Sequence, residues 1–308
     1  MRIAVIDLGT NTFNLLIGSI KNGNLKIIHS EKKVVKLAEG SNDLDYIRDP
    51  SYKRALDAIS CYSKKIEEFD VDITKANATS GLRSAGNADQ FIQDCWMNYK
   101  IQIEVIDGNR EAELIYKGVQ NALALNSSNS LIMDIGGGST EFNIINKNEL
   151  LWSRSYKLGV SRLKENFKPT DPISEEDAKR ILYHVEESVF DLIEAIKKYK
   201  PKELIGSSGS FDTLVDMIQM RAFNRTFNGN SFDIEMGKYN FLRDNMFELK
   251  LDERKRIPGM IDLRADLMPI SCLLIDFVLD KTQVTKFRMS KYSLKEGLFF
   301  ELAQHLKN

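Results

Sequence analysis

Two short stretches of this chain carry the same combination of an aspartate, small residues and hydroxyls. The first runs Asp7-Leu8-Gly9-Thr10-Asn11-Thr12, and the second Asp134-Ile135-Gly136-Gly137-Gly138-Ser139-Thr140-Glu141. Each aspartate follows a short apolar strand, over 3–6 or 131–133, and each turn runs into a second one, over 13–20 or 142–145. Small residues let backbone N–H groups close on an anion, and threonine or serine hydroxyls add donors. Gly9, Thr10, Asn11 and Thr12 in one copy, and Gly136, Gly137, Gly138, Ser139 and Thr140 in the other, are the expected phosphate-binding residues. Carboxylates repel phosphate, so Asp7 and Asp134 are expected to hold a divalent cation or a water instead. Two such turns facing each other would form a cleft for a phosphorylated ligand.

Other residues have both a chemical and a plain reading. Arg83 follows Thr79-Ser80 at the end of a strand, where α/β sheets place ligands; its planar fork suits a phosphate oxygen, and a surface arginine is the alternative. Glu141 is a lone charge at the start of an apolar strand, which solvent exposure would also explain. Glu111 stands in a first helical turn, where an acid offsets the macrodipole. Arg264 and Asp266 read equally as an internal ion pair, and Lys291 and Lys295 as basic contacts or as solvated side chains. Ser210 reads as a helix cap after Ser207-Ser208-Gly209. His29, His184 and His305 pair with no serine or cysteine in triad fashion, so nucleophilic catalysis has no support.

The elements that must carry these residues alternate. Three strands fill residues 1–37, with Asn22-Gly23 as a hairpin turn. Helices are expected over 51–69, 89–99 and 110–125, and strands over 76–79 and 101–106. After the polar turn 126–130 the pattern restarts with a strand, a glycine turn, a strand, a turn at 146–148 and a strand over 150–155. Ser174 with Asp177 starts a helix expected to run over 175–199, the longest of the chain, closed by Pro201. A strand over 204–206, a helix from Phe211, a polar stretch at 221–256, a buried helix over 264–279, a strand over 287–290 and a helix over 293–306 follow. Strands alternating with helices, twice, indicate two α/β domains with mixed sheets.

Composition excludes several classes. The chain has 308 residues, 43% hydrophobic and 28% charged, with net charge −1. That size suits two cores, and that charge offers no global field for nucleic acid or a membrane. The cysteines Cys61, Cys95 and Cys272 follow no metal or redox spacing, which fits a reduced cytoplasmic setting. A strand starting within two residues leaves no room for a signal peptide, and the most apolar late stretch, 270–279, carries Asp276 and is too short to span a bilayer.

The motifs IDLGTNTFNLLI (6–17), ATSGLR (78–83), EVIDGNREAELIYKGV (104–119), DIGGGSTEF (134–142), LGVSRL (158–163), LRAD (263–266) and MSKYSLKEGL (289–298) resemble the exopolyphosphatase and guanosine pentaphosphate phosphohydrolase family. DIGGGSTE is the most specific of them. The resemblance implies two duplicated actin-like ATPase (ribonuclease H-like) domains, 1–125 and 126–308, with an interdomain cleft. It also implies that the last helix, about 293–308, joins the first domain, in a short form without further C-terminal domains. It implies a phosphoanhydride hydrolase acting on polyphosphate and/or guanosine pentaphosphate, with magnesium or another divalent cation held by Asp134 and Glu141 with help from Asp7; polyphosphate or guanosine pentaphosphate or tetraphosphate is the expected ligand. Glu111 becomes the catalytic carboxylate that orients and deprotonates water. The sequence departs from the family at Arg110, where an acid is usual, which leaves the behaviour of Glu111 and the substrate preference open. No guanine pocket is visible in the residues, which tilts the reading toward polyphosphate. A non-catalytic sensor of the same ligands and a superfamily kinase or ATPase are the alternatives. No residue pattern specifies an oligomer; a two-fold homodimer is the common closed form.

Overall fold

The computed structural model describes residues 1–21, 24–41, 45–125, 127–147 and 149–306. The hairpin turn expected at Asn22-Gly23 lies outside them, as do Asn126 and Asn148 of the two polar turns. The chain begins with β1 (Ile3–Leu8), β2 (Thr12–Lys21), β3 (Asn24–Val34), α1 (Asp49–Glu68), β4 (Ile73–Ala78), α2 (Ser80–Ser84), α3 (Ala88–Tyr99), β5 (Ile103–Val105) and α4 (Gly108–Ala122). Next come β6 (Ser130–Ile135), β7 (Thr140–Asn146), β8 (Glu149–Tyr156), α5 (Val160–Phe167), α6 (Glu175–Ser188), α7 (Phe190–Tyr199), β9 (Glu203–Ser207) and α8 (Gly209–Phe223). Then follow β10 (Ser231–Asp233), α9 (Met236–Glu248), α10 (Leu251–Arg254), α11 (Asp262–Ala265), α12 (Met268–Lys281), β11 (Lys286–Ser290) and α13 (Leu294–His305).

Two compact units result: Met1–Gly118 with the segment from Leu294 onward, and Val119–Ser293. The first holds a sheet in the order β3-β2-β1-β4-β5, the second one in the order β10-β11-β9-β6-β7-β8. In each, the first three strands form an antiparallel meander and the next two add in parallel beside the first. Both units thus repeat the ribonuclease H-like order expected from the resemblance, and β10 adds an antiparallel edge to the second. The first four residues of β1 and the three residues before Asp134 in β6 are apolar because helices cover both faces of a parallel pair. Ile3, Ala4, Val5 and Ile6 of β1, and Leu131, Ile132 and Met133 of β6, are all buried. Each unit has its own core, with Ile6, Phe13, Tyr62 and Phe91 in one, and Met133, Leu204, Phe211 and Tyr239 in the other. Among the described residues no helix is long and apolar enough to cross a membrane.

Several elements differ from the sequence reading. The helix expected over 175–199 is two helices, α6 and α7, and the 20-residue α1 is longer than either. Ser188 Oγ donates to the His184 carbonyl, which competes with the helical ladder, and Val189 turns inward to be buried at φ −118° and ψ 30°. The helix expected over 264–279 is interrupted between α11 and α12, because Pro269 stands in the first turn of α12 and cannot extend an earlier ladder. α2, α5 and β10 were not expected, and the polar stretch 221–256 resolves into the end of α8, β10, α9 and α10.

The first unit closes on α13. A Cβ at Gly297 would overlap the Leu114 carbonyl oxygen of α4, so the two helices meet backbone to backbone. We expect Gly297→Ala to lower the thermal unfolding midpoint, with an overpacking cost of about 1–3 kcal/mol; an unchanged midpoint would contradict that close approach.

Candidate active site

A peptide group presents its C=O and N–H in opposite directions. The glycine turn of the second unit exploits this. The Gly136 carbonyl accepts from Val160 N (3.1 Å), and the Gly137 carbonyl from Ser161 N (2.9 Å) and Arg162 N (3.1 Å). The Gly138 carbonyl accepts from Arg162 Nε at 2.8 Å. All three carbonyls face the start of α5, whose first amides would otherwise lack acceptors. The N–H groups of Gly137, Gly138 and Ser139 are thereby turned the other way, as an anion cradle. The first unit repeats the device: Thr10 O accepts from Leu37 N at 2.7 Å, and Asn11 O from Val35 N at 2.9 Å and Lys36 N at 3.1 Å. Gly9 N donates to Thr12 O at 3.1 Å and Gly136 N to Ser139 O at 3.0 Å, so both turns close in the same way. Thr12 and Ser139 are buried, and Thr140 Oγ1 is tied to the Leu158 carbonyl.

The acidic residues are not repeated symmetrically. Asp134 and Glu141 stand directly opposite across the β6–β7 ladder, so their side chains share one face. Their exposures are 4% and 1%, which removes the solvent-facing reading of Glu141. Asp134 Oδ2 accepts from Ser207 at 2.6 Å, from Ser208 at 2.8 Å and from Ser293, while Glu141 Oε1 accepts from Ser155 at 2.7 Å. In the first unit Asn14 occupies the place of Glu141, and its amide donates to Asp7 Oδ2 at 3.0 Å. Asn77, in register with Asp7 on β4, keeps a buried Oδ1 with no hydrogen-bond partner among the described residues. The carboxylate pair belongs to the second unit alone. Two adjacent hard oxygen ligands fit magnesium, which completes its shell with water and substrate oxygens. Among the described residues no group of three or more His, Cys, Asp or Glu could hold an ion unaided.

An ion pair between Arg264 and Asp266 was one of the two readings of those residues. Asp266 instead pairs with Lys164, and Arg264 is 6% exposed with no hydrogen bond or ion pair from its guanidinium among the described residues. Burial pushes its pKa down, against the pull of Asp212 and Asp134. A Cβ at Gly209 would overlap the guanidinium, which places Arg264 against the start of α8. Ser208 caps that helix at φ +70° and ψ −177°, a glycine-like conformation costing about 1–3 kcal/mol. Ser210 is not the cap; its hydroxyl meets Ser271 Oγ at 2.9 Å. A buried guanidinium without a partner among the described residues and a strained hydroxyl residue thus stand at the start of α8, the hydroxyl on Asp134.

In the first unit Arg83 Nη1 donates to Glu111 Oε2 at 3.1 Å and to the Ile106 carbonyl at 2.7 Å. Glu111 is 7% exposed, not a solvated end-of-helix acid. Arg83 therefore ties the carboxylate down and keeps Nε and Nη2 without hydrogen bonds among the described residues. Lys291 pairs with Asp212 and Lys295 with Glu296, so neither is a free basic contact. The residues that sequence reasoning passed over are Gly159, Arg162, Ser207, Ser208 and Ser293. The motif at 158–163 held the signal: a glycine one residue before a helix, where a Cβ would overlap the Gly137 carbonyl and the Gly138 carbon.

Two measurements probe this geometry. We expect Gly159→Ala to weaken pyrophosphate binding by about tenfold or more, since displaced cradle amides lose hydrogen bonds to a charged group; unchanged affinity in a calorimetric titration would contradict the cradle. We expect Arg264→Met to raise the unfolding midpoint of the ligand-free protein by removing an uncompensated charge, about 1 kcal/mol or more, while weakening pyrophosphate binding. A lower midpoint with intact binding would make Arg264 purely structural.

The chain is similar to several known proteins. A crystal structure of an exopolyphosphatase from Cytophaga hutchinsonii superposes with a TM-score of 0.95 at 38% identity, covering 99% of this chain and 98% of that one. A Haemophilus influenzae protein named provisionally as an exopolyphosphatase is 27% identical over 305 residues, 99% of this chain and 92% of that protein. A guanosine-5'-triphosphate,3'-diphosphate pyrophosphatase of Vibrio vulnificus is 25% identical over 304 residues, and this chain spans 60% of its length. The sequence matches the Ppx/GppA phosphatase family over residues 16–306, and with both glycine turns built as described the chain belongs to that family.

Proposed function

We propose that this chain is a magnesium-dependent hydrolase that releases the terminal phosphate of inorganic polyphosphate, of guanosine pentaphosphate, or of both. The observation that carries the reading is the glycine turn at 136–138, its carbonyls all held by α5, beside the buried pair Asp134 and Glu141. Asp134 and Glu141 would hold the cation, with Asp7, whose Oδ2 accepts from Asn14, as the further carboxylate the family resemblance assigns to it. A magnesium ion there would supply positive charge to offset the negative charge developing on the phosphate oxygens.

The chain's own residues supply the rest. Amides of residues 9–12 and 136–140 bind phosphate oxygens, and the Arg83 N–H groups not engaged by Glu111 or Ile106 add a planar contact. Glu111, fixed by Arg83, would orient a water toward the terminal phosphorus and accept its proton as the P–O bond to the shortened chain, the leaving group, breaks. Positioning and charge stabilisation account for catalysis without a covalent intermediate.

The test is phosphate release from long polyphosphate, guanosine pentaphosphate and ATP, in magnesium or in chelator. Glu111→Gln should lower turnover by about 100-fold or more while retaining pyrophosphate affinity. Equal turnover by variant and wild type would remove Glu111 from the reaction. Ligand binding by the wild type with no release under any divalent ion would favour a sensor.

A further inference from the structure

Arg110 precedes Glu111 in the first turn of α4, the part of a helix most prone to fray. Asp107 Oδ1 accepts from Arg110 N at 2.8 Å and so caps that turn. The Arg110 side chain turns away from any ligand role: Nη1 holds Glu113 at 2.8 Å, and Nη2 holds Glu301 of α13. Lys117, two helical turns along the same face, grips the same two carboxylates at 2.8 Å and 2.5 Å. Two cations and two anions close the cluster with no net charge. The Glu301 side chain is 13% exposed, so water screens it little. Burial pushes the Glu301 carboxyl up, yet hydrogen bonds from Arg110 and Lys117 outweigh this and leave it below the usual range. One turn before Glu301, Gly297 brings the α13 backbone against Leu114 of α4.

We propose that Arg110 and Glu301 form a latch that pins the first turn of α4 to α13, making Arg110 a positioning residue for Glu111 and not a substrate clamp. Its positive charge, placed where the family usually has an acid, is consumed inside the first unit. The proposal rests on the reading of Glu111 as the water-orienting carboxylate.

The experiment compares Arg110→Ala, Arg110→Lys, Glu301→Gln and the Arg110→Ala/Glu301→Gln double variant with wild type. Phosphate release from long polyphosphate is measured in magnesium, with hydrogen exchange of the α4 amides alongside. Loss of the latch should lower kcat about tenfold, since a small misplacement of a catalytic group is costly. KM should stay within about twofold of wild type, as expected when ground-state binding is untouched. Arg110→Lys should recover most of the rate, and the double variant should be no worse than the single ones. Exchange at residues 109–112 should quicken in Arg110→Ala and Glu301→Gln. A raised KM with unchanged kcat in Arg110→Ala would make Arg110 a substrate contact and overturn the latch. Additive losses, or unchanged exchange, would overturn it equally. Should the wild type release no phosphate, the hydrolase reading fails, and the exchange data still decide whether the latch exists.

Discussion

A glycine-rich turn binds an anion only if something else takes its carbonyls. Three glycine carbonyls here are held by two backbone amides, a third backbone amide and one guanidinium at the start of α5. Without those donors, successive peptide groups could rotate, and their oxygens would face the anion as easily as their nitrogens. The arrangement satisfies two needs together, since the first amides of α5 also require acceptors. Gly159 is confined to glycine for the same reason: a side chain there would force the helix start away from the turn.

The duplicated units share this backbone device and differ in their charges. Asp134 faces Glu141 across a strand pair, whereas Asp7 faces Asn14. Two buried carboxylates side by side repel each other and are costly unless a cation or hydrogen bonds compensate. Serine hydroxyls supply donors to both: three on Asp134 and one on Glu141. In the first unit the Asn14 amide donates to its aspartate directly. The two copies therefore share the backbone turn and differ in the residue that faces its aspartate, Glu141 in one and Asn14 in the other. Arg264 and Ser208 carry a further cost, a buried cation without a partner among the described residues and a strained backbone at the start of the same helix.

The first unit shows how a local charge reversal can be absorbed. Arg110 beside Glu111 would be expected to alter the acid, yet its guanidinium is committed to Glu113 and Glu301. Arg83 is the cation that meets Glu111. Neighbours in sequence are thus separated by the helix, whose adjacent side chains point about a quarter turn apart.

Periodicity and turn chemistry alone located the strands around both glycine turns, the restart of the pattern in the second half, and Ser174 as a cap. These signals are local: alternation, glycine and hydroxyl spacing, and a capping pair report the conformation of the residues that carry them. Helix continuity over 175–199 and 264–279 was overestimated, because apolar spacing does not reveal a serine bonding back to its ladder or a proline placed to start a new helix. Which side chains meet was decided only by tertiary structure. Asp266 with Lys164, Arg110 with Glu301 and Asp134 with Ser207, Ser208 and Ser293 join residues 73 to 191 positions apart. Sequence spacing carries no signal for such pairs; the strand order and the packing of helices set the distances.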